Sequence, residues 1–335
     1  MLDHLIKDLC NIVYSYVPLY FDKIYELLDS KNIAILKLLF NNHHNFNSYL
    51  SLPTNNNLFA QLYVSNKKIY RGTYLANLSL LYFSQKNFYQ GIELAIKHCA
   101  DVNIKTKTKE TALSWATYKG HSKCAELLLK HKADPNIQET DGTTALIWAT
   151  RRRHENCVKL LLEYKADPNI QDNDGTTALH KAVYYGHTNC VKLLLEHKAD
   201  PNIQDNDGIT ALNRTVYYGH TNCAKLLLEH KADPNIQNIY GKTALIWATR
   251  KRHENCVKLL LEYKADPNIQ ETDGTTALIW ATCKENTNCM KLLLEYGANT
   301  DTQDNQGKTA LLYSSRNGHT NCVKLLLEHK ADPNI

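Results

Sequence analysis

Histidine and cysteine are the residues in this sequence whose types and spacing first suggest chemistry. Six His-x-x-Cys pairs recur along it: His121/Cys124, His154/Cys157, His187/Cys190, His220/Cys223, His253/Cys256 and His319/Cys322. Each looks like half of a zinc site, because thiolate sulfur and imidazole nitrogen are the common zinc ligands. Completing a site would require two halves to meet. If each pair occupies the same helix of a repeated unit, neighbouring pairs are separated by about 8–10 Å. Zinc–ligand bonds of about 2.0–2.3 Å do not span that gap. Packing explains the same residues better, since free cysteine behaves as a small buried hydrophobe and histidine can open a helix. No metal and no cofactor are expected.

Nucleophilic catalysis needs one Cys or Ser held by a base inside a pocket. A pattern that places seven cysteines (Cys124, Cys157, Cys190, Cys223, Cys256, Cys289, Cys322) at one repeated position gives none of them a special role. Cys283 falls outside that position and reads as an exposed substitution. No phosphate-binding Gly-rich loop, Glu-containing metalloprotease motif or paired-carboxylate signature is present. The chain is expected not to be an enzyme.

Recognition chemistry is better supported. Positions at i, i+3 and i+4 share one helix face, and one such set recurs with every unit: Trp115, Tyr118, Lys119; Trp148, Arg151, Arg152; Lys181, Tyr184, Tyr185; Arg214, Tyr217, Tyr218; Trp247, Arg250, Lys251; Trp280, Cys283, Lys284; and Tyr313, Arg316, Asn317. Ten of these are aromatic, nine cationic and none acidic. Tyr, Trp and Arg are the types that dominate interface hot spots. Packing of Trp between helices and Arg stacking on neighbouring rings are the structural alternatives.

The elements that position these residues follow from a 33-residue period. Thr-Ala-Leu recurs at Thr111, Thr144, Thr177, Thr210, Thr243, Thr276 and Thr309 without insertion, and such a period signals stacked supersecondary units. Within Asp172–Gln204, Asp174-Gly175 supplies a turn and Thr177 an N-cap. Leu179, Ala182 and Val183 make one apolar helix face, and Gly186-His187 breaks that helix. A second helix over Asn189–His197 carries Cys190, Val191 and Leu193–Leu195, and Ala199-Asp200-Pro201-Asn202 is expected to end it.

Turn, helix, turn, helix at this period, with Thr177-Ala178-Leu179-His180-Lys181-Ala182 and Gly186-His187, resembles the ankyrin repeat. The resemblance implies an all-α, ankyrin-type repeat solenoid of helix-turn-helix units with short β-turn fingers. Residues 76–335 form the array, one degenerate plus seven full repeats. Residues 1–75 form a divergent helical N-terminal region, with helices expected at 20–28 and 33–40, a polar loop at 46–69, and a capping role. Departures from the family pattern include Ala for the Pro after Thr. The Gly that ends the second helix is replaced by Lys132, Lys165, Lys198, Lys231, Lys264 and Lys330. A left-handed lysine at each would cost on the order of 1 kcal/mol.

The resemblance also implies a concave groove lined by the aromatic and cationic face, the usual partner-binding surface. The residues assigned to it are Trp148, Arg151, Arg152, Lys181, Tyr184, Tyr185, Arg214, Tyr217, Tyr218, Trp247, Arg250 and Lys251. The expected function is a non-enzymatic protein–protein interaction scaffold or adaptor, with nucleic-acid binding through the same groove as the alternative. Turn residues Glu139, Asp141, Asp172, Asp174, Asp205, Asp207, Glu271 and Asp273 suggest an acidic rim that would repel a phosphate backbone. The rim therefore favours a protein partner with an acidic and apolar segment. A net charge of +5 is too mild to argue otherwise. Val323–Ile335 keeps its Leu run where a polar outer face is normal, so end-on self-association is expected there. No stretch reads as a signal peptide or membrane span, and cysteines used for packing fit a reducing compartment. The expected location is cytoplasmic, the host-cell cytoplasm if the source is an intracellular bacterium or virus.

Overall fold

The structure, a computed structural model, describes residues 74–335; the helices expected at 20–28 and 33–40, the loop at 46–69 and the capping role of the N-terminal region lie outside the described residues. Among the described residues every regular element is a helix. Contacts divide the chain into one compact unit ending at Ala166 and a second over Asp167–Ile335. The first contains α1 (Tyr74–Gln85), α2 (Tyr89–Lys97), α3 (Ala112–Lys119), α4 (Ser122–Lys130), α5 (Ala145–Arg151) and α6 (Glu155–Glu163). The second contains five pairs: α7 (Ala178–Tyr184) and α8 (Thr188–Glu196), α9 (Ala211–Tyr218) and α10 (Thr221–Glu229), α11 (Ala244–Arg250) and α12 (Glu254–Glu262), α13 (Ala277–Cys283) and α14 (Thr287–Glu295), α15 (Ala310–Asn317) and α16 (Thr320–Glu328). Within each unit the odd-numbered helices pack side by side in one layer and the even-numbered ones in a second.

Local chemistry fixes each pair. The repeated threonine N-caps the first helix: Thr177 Oγ1 accepts from the amide of His180, and Thr210 Oγ1 from that of Asn213. The second helix is shorter at its end than expected. Lys198, at φ 66°, stops it before Ala199-Asp200-Pro201 begins. Its amide donates to Leu195 O and that of Ala199 to Leu194 O, the two-bond pattern of a left-handed cap. Lys132, Lys165, Lys231, Lys264 and Lys330 adopt the same geometry with φ between 62° and 67°.

Adjacent fingers are tied by backbone bonds, such as Asn206 N to Asp174 O and Thr272 N to Tyr240 O. A ladder of asparagines does the same behind the second helices, where Asn169, Asn202 and Asn235 Oδ1 accept from Asp200, Asp233 and Asp266 amides at 2.8 Å. The repeated cysteines are fully buried. Burial pushes the thiols of Cys124 and Cys157 up to about 11 and that of Cys289 to about 12. Cys283 is half-buried rather than exposed.

The repeated histidines are struts between repeats. Where the preceding repeat has glycine between its helices, the ring lies on that glycine: a Cβ on Gly219 would stand 2.8 Å from His253 Cε1. His253 Nε2 then meets Tyr217 O at 3.3 Å. Where the preceding residue is Asn87 or Glu285, the other nitrogen is used, with His121 Nδ1 2.9 Å from Ser84 O and His319 Nδ1 3.0 Å from Thr282 O.

Candidate functional site

In four of the recurring sets the first residue, on the odd-numbered helix, is tied to its own finger. Lys181 Nζ lies 3.0 Å from Asp172 Oδ2, and Arg214 Nη2 lies 2.5 Å from Asp205 Oδ2. Trp280 Nε1 donates to Glu271 Oε1, and the Tyr313 hydroxyl donates to Asp304 Oδ2 at 2.6 Å. The carboxylates are buried and also organise the turn: Asp172 accepts from the Thr176 amide and hydroxyl. Burial alone would raise the Asp172 carboxyl, but the hydrogen bonds from Thr176 and Lys181 hold it below its ordinary value.

This corrects the expected acidic rim. Asp172, Asp205 and Glu271 are buried and face inward, and Glu139 is half-buried, because each satisfies finger amides or a helix side chain. Asp141, Asp174, Asp207 and Asp273 are the exposed acids of that set. The half-buried Lys181 and Arg214 are correspondingly neutralised by their own repeats.

The second and third residues of each set are the ones that face outward. In the second unit Tyr184, Tyr185 and Tyr218 are exposed. Their rings join a continuous edge-to-face ladder: Tyr184–Tyr218 at 5.1 Å, Tyr218–Tyr217 at 5.0 Å and Tyr217–Trp247 at 5.1 Å. Cations sit on this ladder. Lys251 Nζ is 4.0 Å from the centre of Tyr217, and Arg250 Cζ is 5.7 Å from that of Trp247. The aromatic pairs add about 0.5–1.5 kcal/mol each beyond burial, so the rings hold one another in place. The face thus presents rigid rings flanked by ammonium and guanidinium groups.

In the first unit Arg151 and Arg152 are exposed and Trp148 is half-buried. Arg151 Cζ lies 5.4 Å from the Trp148 ring, and Arg152 Cζ lies 4.5 Å from the Tyr118 ring while its Nη2 donates to the Tyr118 hydroxyl.

Ile239 and Tyr240 were missed by the sequence reading. They form the finger tip of the second unit's third repeat and are 58% and 56% exposed. Their signal lies in the sequence, since the other fingers carry Lys-Thr, Thr-Asp, Asn-Asp or Asn-Gln there. Among the described residues no group of three or more His, Cys, Asp and Glu could hold a metal ion, and no helix is long and apolar enough to cross a membrane.

A family model described as ankyrin repeats (3 copies) matches residues 28–139, 78–172, 131–205, 197–271 and 263–335. Among solved structures, the chain is similar to the crystal structure of the ankyrin repeat domain of Bcl-3, described as a unique member of the IkappaB protein family. The two share 27% identity with a TM-score of 0.60, covering 65% of this chain and 98% of that one. No match was found among curated proteins. With helix pairs, caps, fingers and a family match that spans most of its length, the chain belongs to the ankyrin repeat family.

Proposed function

We propose that this protein is a non-enzymatic scaffold or adaptor that holds a protein partner on the outward face of its first helices. The carrying observation is the ladder Tyr184–Tyr218–Tyr217–Trp247, exposed at Tyr184 and Tyr218, with Arg250 and Lys251 beside it. Such rings offer large contact area with few rotatable bonds, so little entropy is lost when a partner covers them. The partner segment carries apolar side chains for the rings and carboxylates for the cations. The Ile239–Tyr240 tip extends the apolar part of the surface. In the first unit Trp148, Arg151 and Arg152 supply the same chemistry.

A reducing, cytoplasmic setting belongs to this proposal, and the use of cysteine as a buried packing residue in both units supports it. The test is charge reversal of Arg250 and Lys251 to Glu, with Lys225 and Lys258 on the second helices reversed as a control. The first variant loses partner capture and the control keeps it; equal capture by both would sink the proposal. Nucleic-acid binding is the competing outcome. It would appear as retention on heparin or mixed oligonucleotides that falls steeply with salt.

A further inference from the structure

The repeats serve as internal controls for one another, and one seat recurs with its charge changed. In the second unit, Lys242, Trp247, Glu271 and Trp280 form a filled cation site. Lys242 Nζ lies 3.4 Å from Glu271 Oε2 and 5.0 Å from the Trp247 ring centre. Trp280 Nε1 donates to the other oxygen of Glu271, and Arg250 stands over Trp280.

The residues at the same repeat positions in the first unit are Glu110, Trp115, Glu139 and Trp148, with Tyr118 in place of Arg250. The carboxylate and both indoles are retained, and both built-in cations are gone. A cavity of about 400 Å³ opens there, lined by Glu110, Ser114, Trp115, Tyr118, Lys119, Glu139 and Trp148.

Three rings wall it: Tyr118 lies edge-to-face with Trp115 at 6.0 Å and with Trp148 at 5.0 Å. Trp115 Nε1 is buried without a hydrogen-bond partner. Burial pushes the Glu139 carboxyl up to about 7, against hydrogen bonds from Ser114 and Trp148 and with Glu110 and Asp141 adding repulsion. Lys119, Arg151 and Arg152 stand over the rings of Tyr118 and Trp148. No described cation lies within ion-pair distance of Glu110 or Glu139.

We propose that this pocket of the first unit seats the ammonium end of a lysine-type side chain presented by another protein. Glu139 and Glu110 replace its water of hydration, and Trp115, Tyr118 and Trp148 supply ring faces, as Glu271 and Trp247 do for Lys242. Carboxylate and aromatic faces together are the combination that favours an organic cation once it is desolvated. The ligand is of opposite charge from the partner segment proposed above and is read with a different compound, so either can fail alone.

The test uses the full chain and Nα-acetyl-lysine methylamide, with the norleucine analogue as neutral isostere and the arginine analogue as a shape control. Indole N–H resonances of Trp115 and Trp148 report binding. The lysine compound should give a saturating shift at least about tenfold stronger in affinity than norleucine, with arginine weaker than lysine because the counterpart seat holds the ammonium of Lys242. Binding should tighten about tenfold from pH 6 to pH 8, as a carboxyl near 7 ionises.

Glu110→Lys, which installs the counterpart of Lys242, should abolish it, as should Glu139→Gln, while Glu126→Gln on α4 leaves it unchanged. Lys242→Glu combined with Arg250→Tyr, which removes both built-in cations, should create a second such site that shifts Trp247 and Trp280. Equal shifts with norleucine, tighter binding of the arginine analogue, or unchanged binding in Glu110→Lys would overturn the proposal. The isostere comparison is made on the unaltered protein, so it stands even if a variant misfolds.

Discussion

Acidification should destabilise this protein through one buried histidine, His180. The residue is 1% exposed and its ring is fully used. The Thr177 amide donates to Nδ1 at 3.2 Å, so Nδ1 carries no proton, and Nε2 donates to Ile209 O at 3.1 Å. Protonation would place an N–H against the N–H of Thr177. Burial is the main reason the pKa falls from 6.5 to about 4, and Arg214 and Lys181 nearby lower it further. The folded state therefore binds fewer protons than the unfolded one between those values. The contribution is fully present above the unfolded value of about 6.5 and is lost as pH falls toward 4. Two and a half pH units at 1.36 kcal/mol each set a ceiling of about 3 kcal/mol.

The perturbation that isolates it is His180→Asn, because Asn213 fills the same position one repeat later, where its Oδ1 accepts from the Thr210 amide at 3.0 Å. Urea unfolding of both proteins at pH 7 and pH 4.5 gives the assay. Asp172 and Asp304, whose hydrogen-bonded carboxyls are held low, also lose stability in acid, but both proteins share that loss. The wild type should lose about 2–3 kcal/mol more than the variant over this interval. Equal losses, or a His180 resonance that titrates near its ordinary value, would rule out His180 as the source of the acid sensitivity.

Replacing Lys198, Lys231 and Lys264 by Gly should stabilise the second unit by about 1 kcal/mol per site, since glycine tolerates the left-handed geometry they hold; a lower urea midpoint would contradict this. Gly219→Ala should cost more than the same change at Gly307, because a Cβ at the first meets the His253 ring and at the second meets nothing within 4 Å; equal costs would argue against the strut role. Leu312 and Leu327 are 45% and 48% exposed, although their counterparts Ile279 and Leu294 are buried at 2% and 7%. A second copy stacking on that face predicts concentration-dependent sedimentation that Leu312→Lys with Leu327→Glu removes, whereas a concentration-independent monomer would rule it out.

Much of the fold was legible because its determinants are local and repeated. The period, the Thr caps, the buried cysteines and the left-handed lysines can each be read within one unit. What could not be read is which side chains cross from helix to finger. Lys181 and Arg214 share a sequence face with Tyr184 and Tyr218, yet their first-turn positions bring them within reach of Asp172 and Asp205. They are neutralised there, while the tyrosines at the helix end remain exposed. The seat around Glu139 was hidden for a similar reason. Its walls come from two repeats, and it becomes visible only once Lys242 shows what the same positions do when a cation is built in.

Photo-crosslinking from the ladder itself shows whether a protein partner lies on it. A benzophenone side chain placed at Tyr184 or Tyr218, with Lys225 as a second-helix control, reports what lies within a few ångströms in cells. Protein adducts are expected from Tyr184 and Tyr218 that vanish when Arg250 and Lys251 are reversed to Glu, with none specific to Lys225. Protein adducts confined to Lys225, or nucleic acid as the adduct at the ladder, would contradict it.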